Sequence, residues 1–167
     1  MSIQMNNTEH NFVDWLITGF EENKQMQDYN VKKILVPLDG SQNSFRGLDK
    51  AVYFAKQCSA TITGLYVSQK PSRYGFNTID DLDSSKRKQI DALLEKAKDT
   101  AAKNGVDLNG EIIHGSPKKD ILDFANRWNY DLIVIGSSGA GSAIEYFIGS
   151  VANHILHTSK IPVLVVK

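Results

Sequence analysis

From Val31 onward, short apolar runs alternate with longer segments of helical periodicity, and this alternation limits the possible folds more than any other feature. The first run, KILVPL at residues 33–38, is almost continuously apolar, as strands buried on both faces are. Four further runs lie near residues 61–67, 107–113, 131–135 and 161–166. Because parallel strands need helical crossovers, the pattern predicts a doubly wound, three-layer α/β sandwich with a five-stranded parallel sheet.

The segments between these runs repeat apolar residues every three or four positions, which is typical of amphipathic helices. Ser41 follows the first strand and is placed to cap the first helix. The second helix is predicted over residues 85–104, with Gly105 as its natural end. Ser116 and Pro117 open a third helix with a cap and a first-turn proline, and that helix is expected to end near residue 129.

Charge and cysteine content exclude several classes of function. Lys plus Arg number 19 and Asp plus Glu number 19, so no net field draws the chain to nucleic acid or to an anionic membrane. Cys58 is the only cysteine, which fits a reducing compartment, and its place on a helix predicts a small buried hydrophobe. No apolar run approaches the roughly 18 residues that span a bilayer, and no signal peptide is recognisable. We therefore expect a cytoplasmic protein with no nucleic-acid partner and no membrane insertion.

Two segments stand apart from the alternating pattern. Residues 1–30 form an N-terminal extension ahead of the domain at residues 31–167. Its amphipathic stripe consists of Phe12, Val13, Leu16, Ile17 and Phe20, with Trp15 beside it. The stripe is expected to pack on the domain or on a dimer mate; a membrane-surface or partner-docking helix and a disordered segment are the alternatives. The polar loop at residues 68–84 exceeds about 12–15 residues, which predicts a mobile flap near the end of the second strand.

A glycine-rich segment, GSSGAGSAIEYFIGS, follows the fourth strand. Two residues separate Gly136 from Gly139, and nine more precede Gly149 and Ser150. Glycines let main-chain N–H groups approach a phosphate closely, and they allow the positive φ angles that form an anion-binding nest. The segment therefore predicts a phosphate site. The alternative is a turn with no ligand, because glycine-rich turns between a strand and a helix are also common for structural reasons alone.

Gly149 allows two interpretations. Apolar side chains between residues 144 and 155 could share one face of a continuous helix, in which a glycine would cost about 1 kcal/mol. We prefer a break, with a short helical turn at residues 142–147 and a new helix that Gly149 and Ser150 cap and that runs to about residue 158. The new helix would then direct free N–H groups and its positive dipole end toward an anion, with the Ser150 hydroxyl nearby.

Asp39 follows the first strand as the glycine segment follows the fourth. In a sheet of order 3-2-1-4-5 these strands are neighbours whose connections diverge to opposite faces, and a ligand crevice opens between them. Asp39 could there bind a ribose hydroxyl or help to hold a phosphate-bound divalent cation. The alternative is that its carboxylate merely forms an Asx turn with Ser41.

The chain resembles the universal stress protein family over roughly residues 31–167, and three stretches carry the resemblance. They are ILVPLDGS at residues 34–41, GSSGAGSAIEYFIGS at 136–150 and IPVLVV at 161–166. The middle stretch has the complete glycine spacing of the family's ATP-binding branch. The resemblance implies an adenine nucleotide alpha hydrolase-like, Rossmann-like fold that binds ATP, with AMP or ADP as alternatives and Mg or Mn as a companion of the nucleotide.

The resemblance also implies which residues form the nucleotide site. The phosphates would be held at Gly136, Gly139, Gly149 and Ser150, the adenosine would contact Pro37, Asp39 and Val67, and Ile135 and Val151 would line the pocket. Leu38, Ser137 and Gly141 complete the predicted site. The chain departs from the family pattern at His114, where an acidic residue often follows the third strand, and in residues 1–30, which have no family counterpart.

Members of this family commonly form dimers through the last strand, and the sequence supplies its own reason for this. Residues 161–166 predict an apolar edge strand. Pro162, near its start, is the only residue there that hinders pairing with another strand. Such an edge invites pairing with a second chain. We therefore predict a symmetric homodimer through residues 161–166.

A nucleotide-dependent regulatory binding protein of the stress response is the leading functional hypothesis, in which an unidentified protein partner recognises the ATP-bound surface. The chain has no Gly-x-x-x-x-Gly-Lys-Ser/Thr motif and no convincing base for an attacking water, so any hydrolysis is expected to be slow. A weak ATPase or adenylyl-transfer enzyme and a nucleotide-free dimeric interaction module are the alternatives.

Other reactive side chains favour structural roles. His154 and His157 have a spacing that can place two metal ligands on one helix face, but no third ligand is evident, so we expect solvent-facing residues near a helix end. His114 is expected to be a structural residue of a turn. Ser137 and Ser138 lack an evident general base, which argues against a hydrolase.

Overall fold

A parallel five-stranded sheet organises the part of the chain that the computed structural model describes, residues 30–69, 84–139 and 148–167. Along the chain, its elements are β1 (Lys33–Pro37), α1 (Gln42–Cys58), β2 (Thr61–Ser68), α2 (Ser84–Ala102), β3 (Leu108–His114), α3 (Pro117–Arg127), β4 (Leu132–Gly136), α4 (Ser150–Thr158) and β5 (Val163–Val166). The strand order is β3-β2-β1-β4-β5, and every pairing is parallel. The doubly wound fold and its predicted strand order are therefore confirmed.

The sheet separates two apolar layers, because alternate residues of each strand point to opposite faces. Ile34 and Val36 of β1 pack with α1 and α2, whereas Leu35 between them packs with α3 and α4. All three side chains are 0% exposed, which places β1 at the centre of the fold. Burial on both faces explains the almost unbroken apolar run that the sequence shows there.

Helices α1 and α3 are capped at their N-termini in two different ways. Ser41 caps α1 as predicted, since its hydroxyl accepts a hydrogen bond of 3.1 Å from the N–H of Ser44. The predicted side-chain cap of α3 is wrong, because the Ser116 hydroxyl makes no cap bond. The Asp120 carboxylate instead accepts from the Ser116 N–H at 2.5 Å, and its negative charge suits the positive end of the helix.

Three helices end in one common geometry, with a left-handed residue and a hydrogen bond back across the last turn. The left-handed residue is Ser59 (φ 53°) after α1, Gly105 (φ 72°) after α2 and Asn129 (φ 52°) after α3. The next N–H in each case bonds to a carbonyl five residues earlier, with lengths of 2.9, 3.1 and 3.0 Å. Gly105 thus ends its helix as predicted, while a serine and an asparagine adopt the same conformation elsewhere.

The last strand is shorter than predicted and begins at Val163. Residue 161 belongs to a turn, because the Ser159 hydroxyl accepts from the Ile161 N–H (3.0 Å) and donates to the Ile161 carbonyl (2.7 Å). Pro162 has no N–H to give to a strand ladder. In the described sheet β5 pairs with β4 alone, so its position at an edge agrees with the prediction.

At the amino-terminal end of the sheet, one carboxylate joins two segments of the chain. Asp131 Oδ2 accepts from the N–H groups of Lys32 and Lys33, each at 2.8 Å.

The neighbouring Tyr130 donates its hydroxyl to Thr63 Oγ1 at 2.7 Å. Desolvation by partial burial raises the pKa of Tyr130 above its ordinary value of 10.0.

Several predictions concern residues that the structure places differently or does not describe. Cys58 is half-buried at the end of α1 rather than fully buried, although it packs against the layer of α1 and α2. The stripe within residues 1–29, most of the flap at 68–84 and the helical turn at 142–147 lie outside the described residues. In the described ranges, no helix combines the length and the apolar character needed to cross a membrane.

Candidate functional site

A cavity of about 660 Å³ opens beyond the carboxyl ends of β1, β2 and β4. It lies where the connections from β1 and β4 diverge, the position at which doubly wound sheets bind ligands. The predicted site residues that line it are Pro37, Leu38, Asp39, Val67, Ile135, Gly136, Ser137, Gly139, Gly149, Ser150 and Val151. Gly141, the remaining predicted residue, lies outside the described part of the chain. The structure thus brings eleven predicted residues to one cavity, while their roles in binding stay predictions.

The two glycine positions of the loop meet at this cavity. Gly149 is an extended N-cap residue (φ −61°, ψ 157°) and α4 begins at Ser150, so the alternative of one continuous helix through Gly149 is wrong. A Cβ atom on Gly149 would lie 3.3 Å from the Cα atom of Ser138. The Gly149 N–H donates to the Ser137 carbonyl at 2.6 Å, which holds the two ends of the loop together. This amide is therefore used within the protein and not offered to a ligand.

The start of α4 supplies the N–H groups that a bound anion needs. The first bond of this helix runs from the Asn153 N–H to the Gly149 carbonyl at 2.9 Å. The N–H groups of Ser150, Val151 and Ala152 precede that bond and have no acceptor within the helix. All three residues line the cavity, so the positive end of the helix dipole faces it. Such an arrangement favours a phosphate or another anion.

Close packing explains why the loop carries glycine at two of its positions. A Cβ atom on Gly136 would lie 2.5 Å from the backbone carbonyl carbon and oxygen of Asn43, in the first turn of α1. A Cβ atom on Gly139 would collide with the Asp39 carboxylate. The loop therefore lies directly on the connection that follows β1. At Gly136 only glycine allows that approach to the backbone, whereas at Gly139 the contact is with a side chain that can move.

Asp39 forms the Asx turn that the sequence left open, and it also lines the cavity. Its Oδ1 accepts from the Ser41 N–H at 3.0 Å, so the Asx turn is present. Its Oδ2 lies against Gly139 on the wall of the cavity. The carboxylate is thus fixed by one oxygen and faces the glycine loop with the other. Contact with a ribose or with a nucleotide-bound cation stays a prediction, and the described residues contain no cluster of three metal-ligating side chains.

The cavity has an apolar part as well as a polar part. Leu65 and Val67 from β2, Ile135 from β4 and Ile121 from α3 line it together with Pro37. Branched side chains of this kind suit a flat, weakly polar group such as a purine base. The donor groups at the start of α4 and the apolar wall therefore suit a ligand that has an anionic part and a flat, weakly polar part.

The sequence analysis missed nine residues that line the cavity. They are Ser44, Leu65, Tyr66, Gln69, Lys86, Pro117, Ile121, Ser138 and Ala152. Most lie at the end of a strand or in the first turns of the helix that follows it. The rule that ligands bind at the carboxyl ends of such sheets could have indicated them, because it applies to every strand and not only to those next to the glycine loop.

The three histidines in the described ranges, His114, His154 and His157, are not among the residues that line the cavity. His114 is half-buried at the end of β3, and its Nε2 atom has no hydrogen-bond partner among the described residues. His157 is exposed near the end of α4 as expected, whereas His154 is half-buried. The prediction that both residues face solvent is therefore wrong for His154, which lies next to the buried Ile155 on the same helix.

Comparison with known proteins identifies the class to which this fold and site belong. The model of the universal stress protein family matches residues 30–167. The chain therefore belongs to the universal stress protein family, which confirms the resemblance seen in the sequence. Universal stress protein YxiE of Bacillus subtilis is 34% identical over an alignment of 145 residues, and the match covers 81% of this chain and 98% of that protein.

Two solved structures also resemble the described fold. Hypothetical protein MJ0577 has a TM-score of 0.71 and 26% sequence identity, and the match covers 83% of this chain and 96% of that one. A universal stress protein in complex with cAMP has a TM-score of 0.68 and 26% identity, with coverage of 83% and 98%. The second relative thus shows that an adenine nucleotide binds to a protein of this family.

Proposed function

We propose that this protein binds an adenine nucleotide, with ATP as its ligand, in the cavity at the carboxyl ends of β1, β2 and β4. One observation carries the proposal: the Asp39 carboxylate, both parts of the glycine loop and the first turn of α4 line the same cavity. The complex of a related universal stress protein with cAMP supports an adenosine-containing ligand.

Each part of the cavity has a distinct role in this proposal. The first-turn N–H groups of α4 and the Ser150 hydroxyl bind phosphate oxygens, because they are oriented donors at a positive helix end. The apolar residues at the ends of β2 and β4 contact the base. Asp39 binds a ribose hydroxyl, or helps to hold a Mg or Mn ion that accompanies the phosphates.

The proposed biological role is that of a dimeric regulatory protein of the stress response, located in the cytoplasm. Dimerisation through β5 is supported by its edge position and by Val163, Leu164 and Val165, which are only half-buried. Sedimentation at micromolar concentration tests this part of the proposal. A dimer is expected, and a monomer that persists at this concentration would contradict it.

The ligand is tested by mass spectrometry of whatever nucleotide leaves the purified protein on denaturation, followed by calorimetry with ATP, ADP, AMP and cAMP. We expect released adenine nucleotide and measurable binding of ATP. A protein that carries no nucleotide and gives no heat with any of the four would contradict the proposal. The same spectra, recorded after incubation with ATP and Mg, show whether ATP is converted to ADP.

Ser150→Asp gives a sharper test of phosphate binding at the start of α4. Aspartate in the first turn favours the helix itself, so the fold should keep its stability, but its charge repels a phosphate. We expect the Kd for ATP to rise by about tenfold or more, which corresponds to about 1.4 kcal/mol. Asn153→Asp adds the same charge to an exposed position of the same helix and should change the Kd by less than about threefold. Equal effects of the two substitutions would contradict binding at this helix end.

A further inference from the structure

The side chain of Asn43 lies directly behind the glycine loop. Asn43 belongs to the first turn of α1 and is not among the residues that line the cavity, whereas Ser138 lines it and is only 7% exposed. The Asn43 Nδ2 group donates a hydrogen bond to Ser138 Oγ. This bond links the connection after β1 to the connection after β4, 95 residues further along the chain.

A third side chain fixes the direction of that bond. Arg46 Nη1 donates to Asn43 Oδ1 at 3.2 Å, one turn further along α1. A guanidinium group can only donate, so the carboxamide oxygen must face Arg46 and the carboxamide nitrogen must face Ser138. The Ser138 oxygen is therefore an acceptor in this bond, and its own proton remains to be donated elsewhere.

The surroundings of Ser138 indicate where that proton goes. In the described part of the chain, Asn43 is the partner that the structure gives to the Ser138 hydroxyl. The neighbouring Ser137 carbonyl already accepts from the Gly149 N–H at 2.6 Å. Ser138 lines the same cavity as the donor groups at the start of α4 and the Asp39 carboxylate. A phosphate oxygen bound by the donors of α4 would lie in this cavity as an acceptor for the Ser138 proton.

We propose that Ser138 binds a phosphate oxygen of the nucleotide and that Asn43, oriented by Arg46, is the residue that positions it. This inference rests on the proposed nucleotide-binding function and adds a donor that the glycine spacing does not predict. A hydrogen bond to a charged oxygen is stronger than one between neutral groups, so the contribution of Ser138 depends on the phosphates of the ligand. Ser138 contacts the ligand, whereas Asn43 acts only through Ser138.

Calorimetry of the full chain with ATP and with adenosine tests both residues. Ser138→Ala should raise the Kd for ATP by about tenfold or more and leave the Kd for adenosine within about twofold. Ser138→Thr keeps the hydroxyl and should stay within about threefold of the unchanged protein for ATP. Asn43→Ala should weaken ATP binding by about threefold to fivefold, and it should add less than about 1.5-fold in the Ser138→Ala background.

Two substitutions on α1 test whether the loss of a positive charge alone changes the affinity for ATP. Arg46→Met frees the carboxamide of Asn43 to reverse and should weaken ATP binding by about twofold to threefold. Lys50→Met removes the same charge from an exposed position of the same helix and should have no effect on either ligand. Thermal unfolding of each variant separates a loss of folded protein from a loss of affinity.

The outcomes distinguish this inference from the function on which it rests. If the unchanged protein binds neither ATP nor adenosine, the proposed function fails, and this inference fails with it. If it binds ATP but Ser138→Ala weakens ATP and adenosine equally, or weakens neither, the function stands and the role of Ser138 is refuted. If the effects of Asn43→Ala and Ser138→Ala add, Asn43 does not act through Ser138, and its role as a positioning residue is refuted.

Discussion

The two ends of the sheet use similar residues in different ways. At the amino-terminal end, Asp131 accepts two main-chain N–H groups, and α1, α2 and α3 end there with their last carbonyl groups bonded internally. At the carboxyl end, Asp39 lies on the wall of a cavity that also receives the first-turn N–H groups of α4. Helix polarity explains the difference, because a helix end that offers carbonyls can be closed by the chain's own N–H groups. A helix start at a cavity instead offers N–H groups to a ligand.

Replacing each aspartate with alanine should give the largest and most contrasting effects. Asp131→Ala removes the acceptor of two main-chain N–H groups and should lower the free energy of unfolding by about 2 kcal/mol, with the Kd for ATP unchanged within about twofold. Asp39→Ala should raise the Kd for ATP by about tenfold or more and lower the free energy of unfolding by less than about 1 kcal/mol. Urea unfolding and calorimetry measure the two quantities.

The proposed difference between the two ends of the sheet would be wrong if Asp131→Ala weakened ATP binding and Asp39→Ala lowered the free energy of unfolding. Tighter ATP binding in Asp39→Ala would show that the carboxylate repels the phosphates and does not assist them through a ribose or a cation. An unchanged stability in Asp131→Ala would show that water replaces the carboxylate at no cost.

Two serines at helix starts should differ although the sequence assigns them the same role. Ser41→Ala removes the hydroxyl that accepts from the Ser44 N–H and should lower the free energy of unfolding by about 1 kcal/mol. Ser116→Ala should change it by less than about 0.3 kcal/mol, because Asp120 and not the Ser116 hydroxyl caps α3. Urea unfolding measured under the same conditions compares them directly, and equal losses would contradict the assignment of the caps.

Tyr130→Phe should have a small effect on the free energy of unfolding, and this effect should depend on pH. At neutral pH it removes the bond to Thr63 Oγ1 and should lower the free energy of unfolding by about 0.5 kcal/mol, since water can reach the half-buried Thr63. The folded state holds the phenol proton more tightly than the unfolded state does, because burial raises the pKa of Tyr130 above 10.0. This stabilisation is complete below pH 10 and is lost as the pH rises through the higher pKa of the folded state.

Urea unfolding between pH 8 and pH 11 tests this direction. The unchanged protein should lose stability more steeply above about pH 10 than Tyr130→Phe does. Parallel curves for the two proteins would show that Tyr130 does not contribute to the alkaline decline.

Much of the fold could be predicted because its signals are local. The apolar run of β1, the Ser41 cap and the Gly105 stop each depend on residues close together in sequence, and the structure shows all three. The strand order has no such local signal, because doubly wound sheets adopt more than one order, and 3-2-1-4-5 was the order expected for this fold. The left-handed Ser59 could not be predicted with the same ease, because serine rarely adopts that conformation, whereas asparagine, as at Asn129, does so at some helix ends.

The candidate site was predictable where it depends on spacing and not where it depends on long-range contact. The spacing from Gly136 to Ser150 indicated the loop, and the break at Gly149 is where it was expected. The bond between Asn43 and Ser138 joins residues 95 positions apart, and no local pattern encodes it. The use of the Gly149 N–H by the Ser137 carbonyl is likewise visible only after folding.

The peptide groups on either side of Ser137 join three parts of the molecule in series. The Ser137 N–H donates to the Val166 carbonyl at the edge of the sheet, and the Ser137 carbonyl accepts from Gly149 at the start of α4, both at 2.6 Å. A ligand whose binding shifts these peptide groups would therefore also act on the outermost strand. In that case, thermodynamic reciprocity requires that a partner bound to the strand change the affinity of the cavity by the same factor.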